Sequence, residues 1–249
     1  MGLPDEPDNE IYRLTKNGTF ALLKDVDAAD TAGASAKASK AQACEAVSAY
    51  LDAAFLGSFL RGSKDIPFAE NAGVLGTYID FLDHEVERGA THATRIHQVH
   101  LKPLAYVTAI EAAVPLALFG NCLEFLSGKR VPFDFGIYDS PSAYTRLQQV
   151  GGALARAGSA PTQFVALYSG LEKLIDRTLR NAIAHAAYRV EPDTGTVDVW
   201  AKGKYLKSFT FVQIDEFYRD ARCYLQGFMR GVRDFAYQIH DECPYVWHP

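Results

Sequence analysis

Apolar positions along most of this chain recur at three- and four-residue steps, the repeat of one buried helix face. From Ala41, residues Cys44, Val47, Leu51, Ala54, Phe55 and Phe59 keep that step until Gly62-Ser63-Lys64-Asp65 stops it. A second helix is predicted over 74–86. A third group begins near Thr91, breaks at Pro103, and resumes over 104–126 before Ser127-Gly128. Residues 142–157 predict another helix, closed by Gly158. Ser159 then offers an N-cap and Pro161 a first-turn residue. The helix they open is predicted to run to about Ala187, on a stripe of Phe164, Leu167, Tyr168, Leu171, Leu174, Ile175, Leu179 and Ile183. The period falls to two over 188–191 and 196–200, either side of Pro192-Asp193-Thr194-Gly195, which predicts a small β-hairpin. A long closing helix is predicted over 213–240, and its aromatics Phe217, Tyr218, Tyr224, Phe228 and Phe235 read as core because they follow its stripe. Residues 1–26 look irregular, with a short strand or helix near 19–23. Residues 27–41 are rich in Ala and Ser and fit either a flexible linker or a frayed helix start. The chain thus divides into a partly flexible N-terminal segment (1–41), an N-terminal helical region (42–141) and a second helical region (142–249). The expected fold class is all-α, a helical bundle with one small β-hairpin.

Composition narrows the function classes. With 249 residues and 48% hydrophobic side chains, the chain can bury a sizeable core. A net charge of −5 argues against a protein that coats long nucleic acid, so any contact with RNA has to be a local basic cleft. Cys44, Cys122, Cys223 and Cys243 form no CxxC pair and no zinc-ligand spacing, so reduced cytosolic thiols are expected. The polar, acidic start carries no signal-peptide core. Glu111, Pro115 and Asn121 interrupt the very apolar stretch 104–126, so it reads as a buried core helix rather than a membrane span. A cytoplasmic protein without a membrane partner is expected.

The segment Arg180-Asn181-Ala182-Ile183-Ala184-His185 concentrates the chemistry. At about 100° per residue, Arg180 lies opposite the apolar stripe, while Asn181 and His185 share one face on the stripe's flank. Lys173 and Arg177 precede them and make this stretch basic in an acidic protein; Asp176 stands four residues before Arg180, placed to orient it or simply to be solvated. One reading is structural: a histidine near a helix C-terminus favoured by the dipole, with Asn181 as its partner. The other is functional: an imidazole and a guanidinium offered to a phosphate.

The sequence RNAIAH is similar to the Arg-x4–6-His motif of the HEPN superfamily, including the polar residue that often follows its arginine. The motif's place late in an amphipathic helix, followed by a β-turn segment and a long closing helix, also resembles HEPN-type bundles, over roughly residues 142–240. The resemblance implies RNA cleavage without a metal or any other cofactor, as in toxins and antiviral defence nucleases. Carried onto this chain it makes Arg180 and His185 catalytic, with Asn181 in support and Arg177 and Lys173 contacting RNA. Histidine can move a proton at neutral pH, arginine can stabilise charge on phosphate oxygens, and RNA supplies its own 2′-hydroxyl nucleophile. Arg180 and His185 stand about 140° apart on the wheel, and HEPN nucleases commonly build their sites across a two-fold axis, so a homodimer is expected. An antitoxin or regulatory protein is a further expected partner. Some members carry a tyrosine two residues after the histidine, where a partner enzyme modifies it. Here Tyr188 lies one residue further on, which puts that regulation in doubt. The alternative function is a non-catalytic HEPN-like module binding RNA, a nucleotide or a protein.

Two other clusters stand out. Arg95, His97, His100 and Lys102 make a locally basic segment that suits a secondary RNA-contacting patch or an ordinary solvated face; His97 and His100 have metal-ligand spacing but no neighbouring carboxylate or cysteine to complete a set. Asp80, Asp83, Glu85 and Glu87 around His84 resemble an acidic helix face without a specific motif.

Overall fold

The N-terminal stretch that looked irregular is a long helix, α1 (Glu10–Ala34). Its buried face is Tyr12, Thr15, Thr19, Leu22, Leu23 and Val26. The spacing is helical, but two of the six positions are threonines, which weakens the apolar pattern that sequence reading relies on. The computed structural model describes residues 7–34, 92–127, 142–158 and 160–242. The helices expected between 41 and 61 and over 74–86, the acidic group around His84, the loop 129–141, Cys44, Cys243 and the last seven residues lie outside the described residues.

Helices α2 (His92–Glu111) and α3 (Ala113–Leu126) follow. The break expected at Pro103 is absent, since α2 runs straight through that residue; the chain breaks instead at Ala112. The window His100–Glu124 is long and apolar enough to cross a membrane, yet 69% of it is buried within the fold. Helix α4 (Ala143–Ala157) begins at Ser142, whose side chain accepts from the Thr145 N–H, and ends at Gly158 as expected. The helix expected to run unbroken to Ala187 is two helices, α5 (Thr162–Leu174) and α6 (Arg177–Ala184). The Tyr106 hydroxyl of α2 fixes the break, donating to the Leu174 carbonyl at 2.8 Å and accepting from the Asp176 N–H at 3.1 Å. A bond from another helix thus overrides a continuous helical stripe. Burial pushes the Tyr106 phenol far above its ordinary pKa, so it stays a neutral donor.

After α6 come three antiparallel strands in the order β1 (Tyr188–Glu191), β2 (Thr196–Ala201), β3 (Lys204–Thr210). The expected hairpin is therefore two strands of a three-stranded sheet, and the described residues are otherwise mostly helical, in keeping with the predominantly α class expected. The second hairpin turns on Lys202 and Gly203, both with positive φ (52° and 74°), the two-residue arrangement usually made by Asn-Gly. Lysine at the first position concealed the turn. Helix α7 (Phe211–Glu242) closes the chain.

One core joins described residues from all three expected regions: Leu22 and Leu23, Ile110 and Phe119, then Phe164, Leu179, Val197 and Phe228. Phe119 sits edge-on between Phe164 and Phe228, with centroids 5.2 and 5.8 Å away. Helix α7 packs against α1 so closely that a Cβ on Gly227 would stand 2.6 Å from the Tyr12 carbonyl oxygen. One on Gly231 would stand 2.5 Å from that of Lys16. These are backbone atoms and cannot swing away. Gly231→Ala gains about 1 kcal/mol of helix propensity but forces two helices apart, at about 1–3 kcal/mol. A lower urea midpoint is the expected result.

Candidate functional site

Short helix α6 carries the motif. Its N-cap is Asp176, whose Oδ1 accepts the Leu179 N–H at 2.8 Å while Oδ2 takes Lys207 Nζ of β3 at 3.0 Å. Asp176 therefore starts the helix and ties it to the sheet. Leu179, Ala182 and Ile183 face the core. Arg180 was expected on the free face, and the structure corrects that. Its side chain is only 14% exposed and lies against the C-terminus of α2, with Nε donating to Glu111 Oε1 at 2.5 Å. Its Nη1 donates to Asn181 Oδ1 at 3.0 Å, so Asn181 partners the arginine where the structural reading had it partner the histidine.

Glu111 is the hub. Its Oε2 accepts Arg146 Nη2 at 2.7 Å and the Ala143 N–H at 2.9 Å, and Arg146 Nη2 also donates to the Glu111 carbonyl at 2.8 Å. One carboxylate thus binds two guanidiniums and the first N–H of α4, joining α2, α4 and α6. Its charge also lies at a helix N-terminus, where the dipole favours an anion. Sequence reading missed Glu111 and Arg146 as site residues. The signal was present: a carboxylate inside an apolar run needs a partner once buried.

His185 is the C-cap of α6. Its backbone N–H donates to the Asn181 carbonyl at 3.1 Å, and its side chain is exposed. The helix ends in a Schellman-type turn: Ala187 N–H reaches the Ala182 carbonyl at 2.7 Å and Ala186 N–H that of Ile183 at 3.1 Å. Such a turn needs a left-handed residue, usually glycine, and here it is Ala186 with φ 50°. The strain of an L side chain there is about 1–2 kcal/mol. Ala186→Gly relieves it but adds unfolded-state entropy, leaving an expected net gain of about 0.5–1 kcal/mol in a denaturant titration.

The surroundings are mixed. Arg177 is exposed and lies over the Tyr144 ring, 5.2 Å from its centroid, and Lys173 is exposed on α5. Of the secondary patch, His100 is exposed and packs on Tyr188, with centroids 6.1 Å apart. Lys102 is drawn into an ion pair with Asp215 of α7 at 2.5 Å, so it is not an open cation for RNA. Arg95 and His97 lie in α2, but their side chains are outside the described residues. Tyr188 opens β1 and is half-buried, which raises its phenol pKa. Cys122 and Cys223 are buried, and burial pushes the Cys223 thiol up. Among the described residues, no three His, Cys, Asp or Glu side chains gather closely enough to hold a metal ion.

The chain matches no protein-family model, no curated protein and no solved structure.

Proposed function

We propose that this protein is an endoribonuclease of the HEPN type, which cleaves RNA without a metal, with Arg180 and His185 as its catalytic pair. One observation carries the reading. A guanidinium steadied by Glu111 and Asn181 and an exposed imidazole belong to one eight-residue helix and its cap. His185 takes the proton from a ribose 2′-hydroxyl, and that oxygen attacks the adjacent phosphorus. Arg180 stabilises the charge gathering on the phosphate oxygens. The P–O5′ bond breaks, the 5′-oxygen collects a proton, and the products are a 2′,3′-cyclic phosphate and a 5′-hydroxyl. Asn181 orients Arg180. A symmetric homodimer brings a second His185 to the cleft as the proton donor, completing a composite site. The setting is toxin–antitoxin or antiviral defence in the cytoplasm, with a protein that holds the activity in check.

The test is incubation of total RNA in EDTA with the wild type beside His185→Ala, with end-group analysis of the fragments. Cleavage by the wild type alone, giving cyclic phosphate ends, supports the reading. Intact RNA with both proteins overturns it. Light scattering adds a second check, because a monomer at working concentration removes the composite site.

One observation favours a non-catalytic module instead. The Arg180–Glu111–Arg146 network holds three helices together, which is a sufficient structural reason for the arginine. RNA binding without cleavage is the outcome that selects this second reading.

A further inference from the structure

We infer that the cleft between α4 and α5 seats a guanine base of single-stranded RNA, with Glu172 reading its Watson–Crick edge. This rests on the RNA reading above and adds a specificity determinant to it. The cleft has a volume of about 510 Å³ and is lined by Tyr144, Leu147, Gln148, Gly151, Tyr168 and Glu172. It adjoins the motif through two links. Tyr144 follows Ala143, whose N–H is bound by Glu111, the carboxylate that also holds Arg180. Its ring also carries the Arg177 guanidinium, one helical turn before Arg180.

The lining suits a flat, polar-edged ring. Two tyrosines give aromatic faces on which an unstacked base can lie. Glu172 and Gln148 are exposed, so their polar ends meet whatever enters. The Tyr168 hydroxyl lies near the Glu172 charge and crosses close to α4. A Cβ at Gly151 would stand 2.2 Å from that hydroxyl, so a larger residue there would push the Tyr168 ring from this position. The phenol's pKa is raised by burial and then by the Glu172 charge, so it remains a neutral hydroxyl beside the carboxylate. The carboxylate then has acceptor capacity left and no donor of its own. Guanine alone among the four bases presents two adjacent N–H donors, N1–H and the N2 amino group, on its Watson–Crick edge. A carboxylate fits that pair, whereas adenine and uracil set an acceptor beside their donor. Arg177 and Lys173 supply the positive charge for flanking phosphates.

The experiment uses the full chain with His185→Ala, which prevents cleavage, and fluorescein-labelled UUGUU and UUAUU pentamers read by anisotropy. The guanine pentamer is expected to bind about tenfold more tightly. Adding Glu172→Gln should abolish the preference and bring the two pentamers to equal affinity. Glu172 is exposed, so an unaltered melting curve is expected and shows that the fold is intact. Equal affinity for the two pentamers, or a preference that survives Glu172→Gln, overturns the proposal. Free GMP binding as tightly as the guanine pentamer overturns it as an RNA seat. Failure of the nuclease reading looks different: guanine-selective binding with no cleavage by the wild type leaves this seat standing. Cleavage with no selective binding leaves the nuclease and removes the seat.

Discussion

Glu111→Ala should lower stability by on the order of 3 kcal/mol. Glu111 loses three partners at once: Arg180 Nε, Arg146 Nη2 and the Ala143 N–H. Arg146 suffers most, because its side chain is only 7% exposed and its charge cannot be well solvated. Glu111 itself is 22% exposed, so water softens the loss relative to a fully enclosed pair. A substantial share of a typical domain's stability is at stake. Glu111→Gln keeps the shape and an acceptor for the Ala143 N–H but removes the charge, and a loss of about 1–2 kcal/mol follows. Urea titrations of the two variants separate charge from shape. Equal, negligible shifts would show that the carboxylate is not the joint between α2, α4 and α6. The glutamine variant also bears on function: it should fold, cleave RNA more slowly, and bind RNA with little change, because Arg180 has lost its fixed orientation.

His185→Ala behaves in the opposite way. The imidazole is exposed, and the cap's contacts to Asn181 run through the backbone, which alanine preserves. Stability should therefore move by no more than about 0.5 kcal/mol. RNA cleavage should fall roughly 10²–10⁴-fold, the usual worth of a positioned acid or base. The pairing of an unchanged melting temperature with a lost rate is the signature of a catalytic group. A variant that melts early points to a structural histidine, and one that cleaves normally removes His185 from the chemistry. Expression toxicity relieved by this substitution is the matching result in cells.

The sequence by itself determined most of the described helices and marked the segment on which the proposed chemistry rests. The stripes of α4, α5 and α7 are local repeats, and a local repeat is visible in any short window. The Arg180–His185 segment is likewise contiguous, so its residue types and spacing were legible without a fold. Tertiary structure decided the rest, because the decisive partners are distant in sequence. Tyr106 lies 70 residues before Asp176, at the helix break it fixes. Glu111 is 69 residues from the arginine it holds, and that contact turned Arg180 from an outward-facing side chain into one packed against α2. Helix α1 shows the same limit from another side. Its threonines look polar in isolation and become core only where α7 lies against them, at a distance set by Gly227 and Gly231. Periodicity records which face a segment can bury; which partner arrives there depends on packing between segments, and that is settled only when the chain folds.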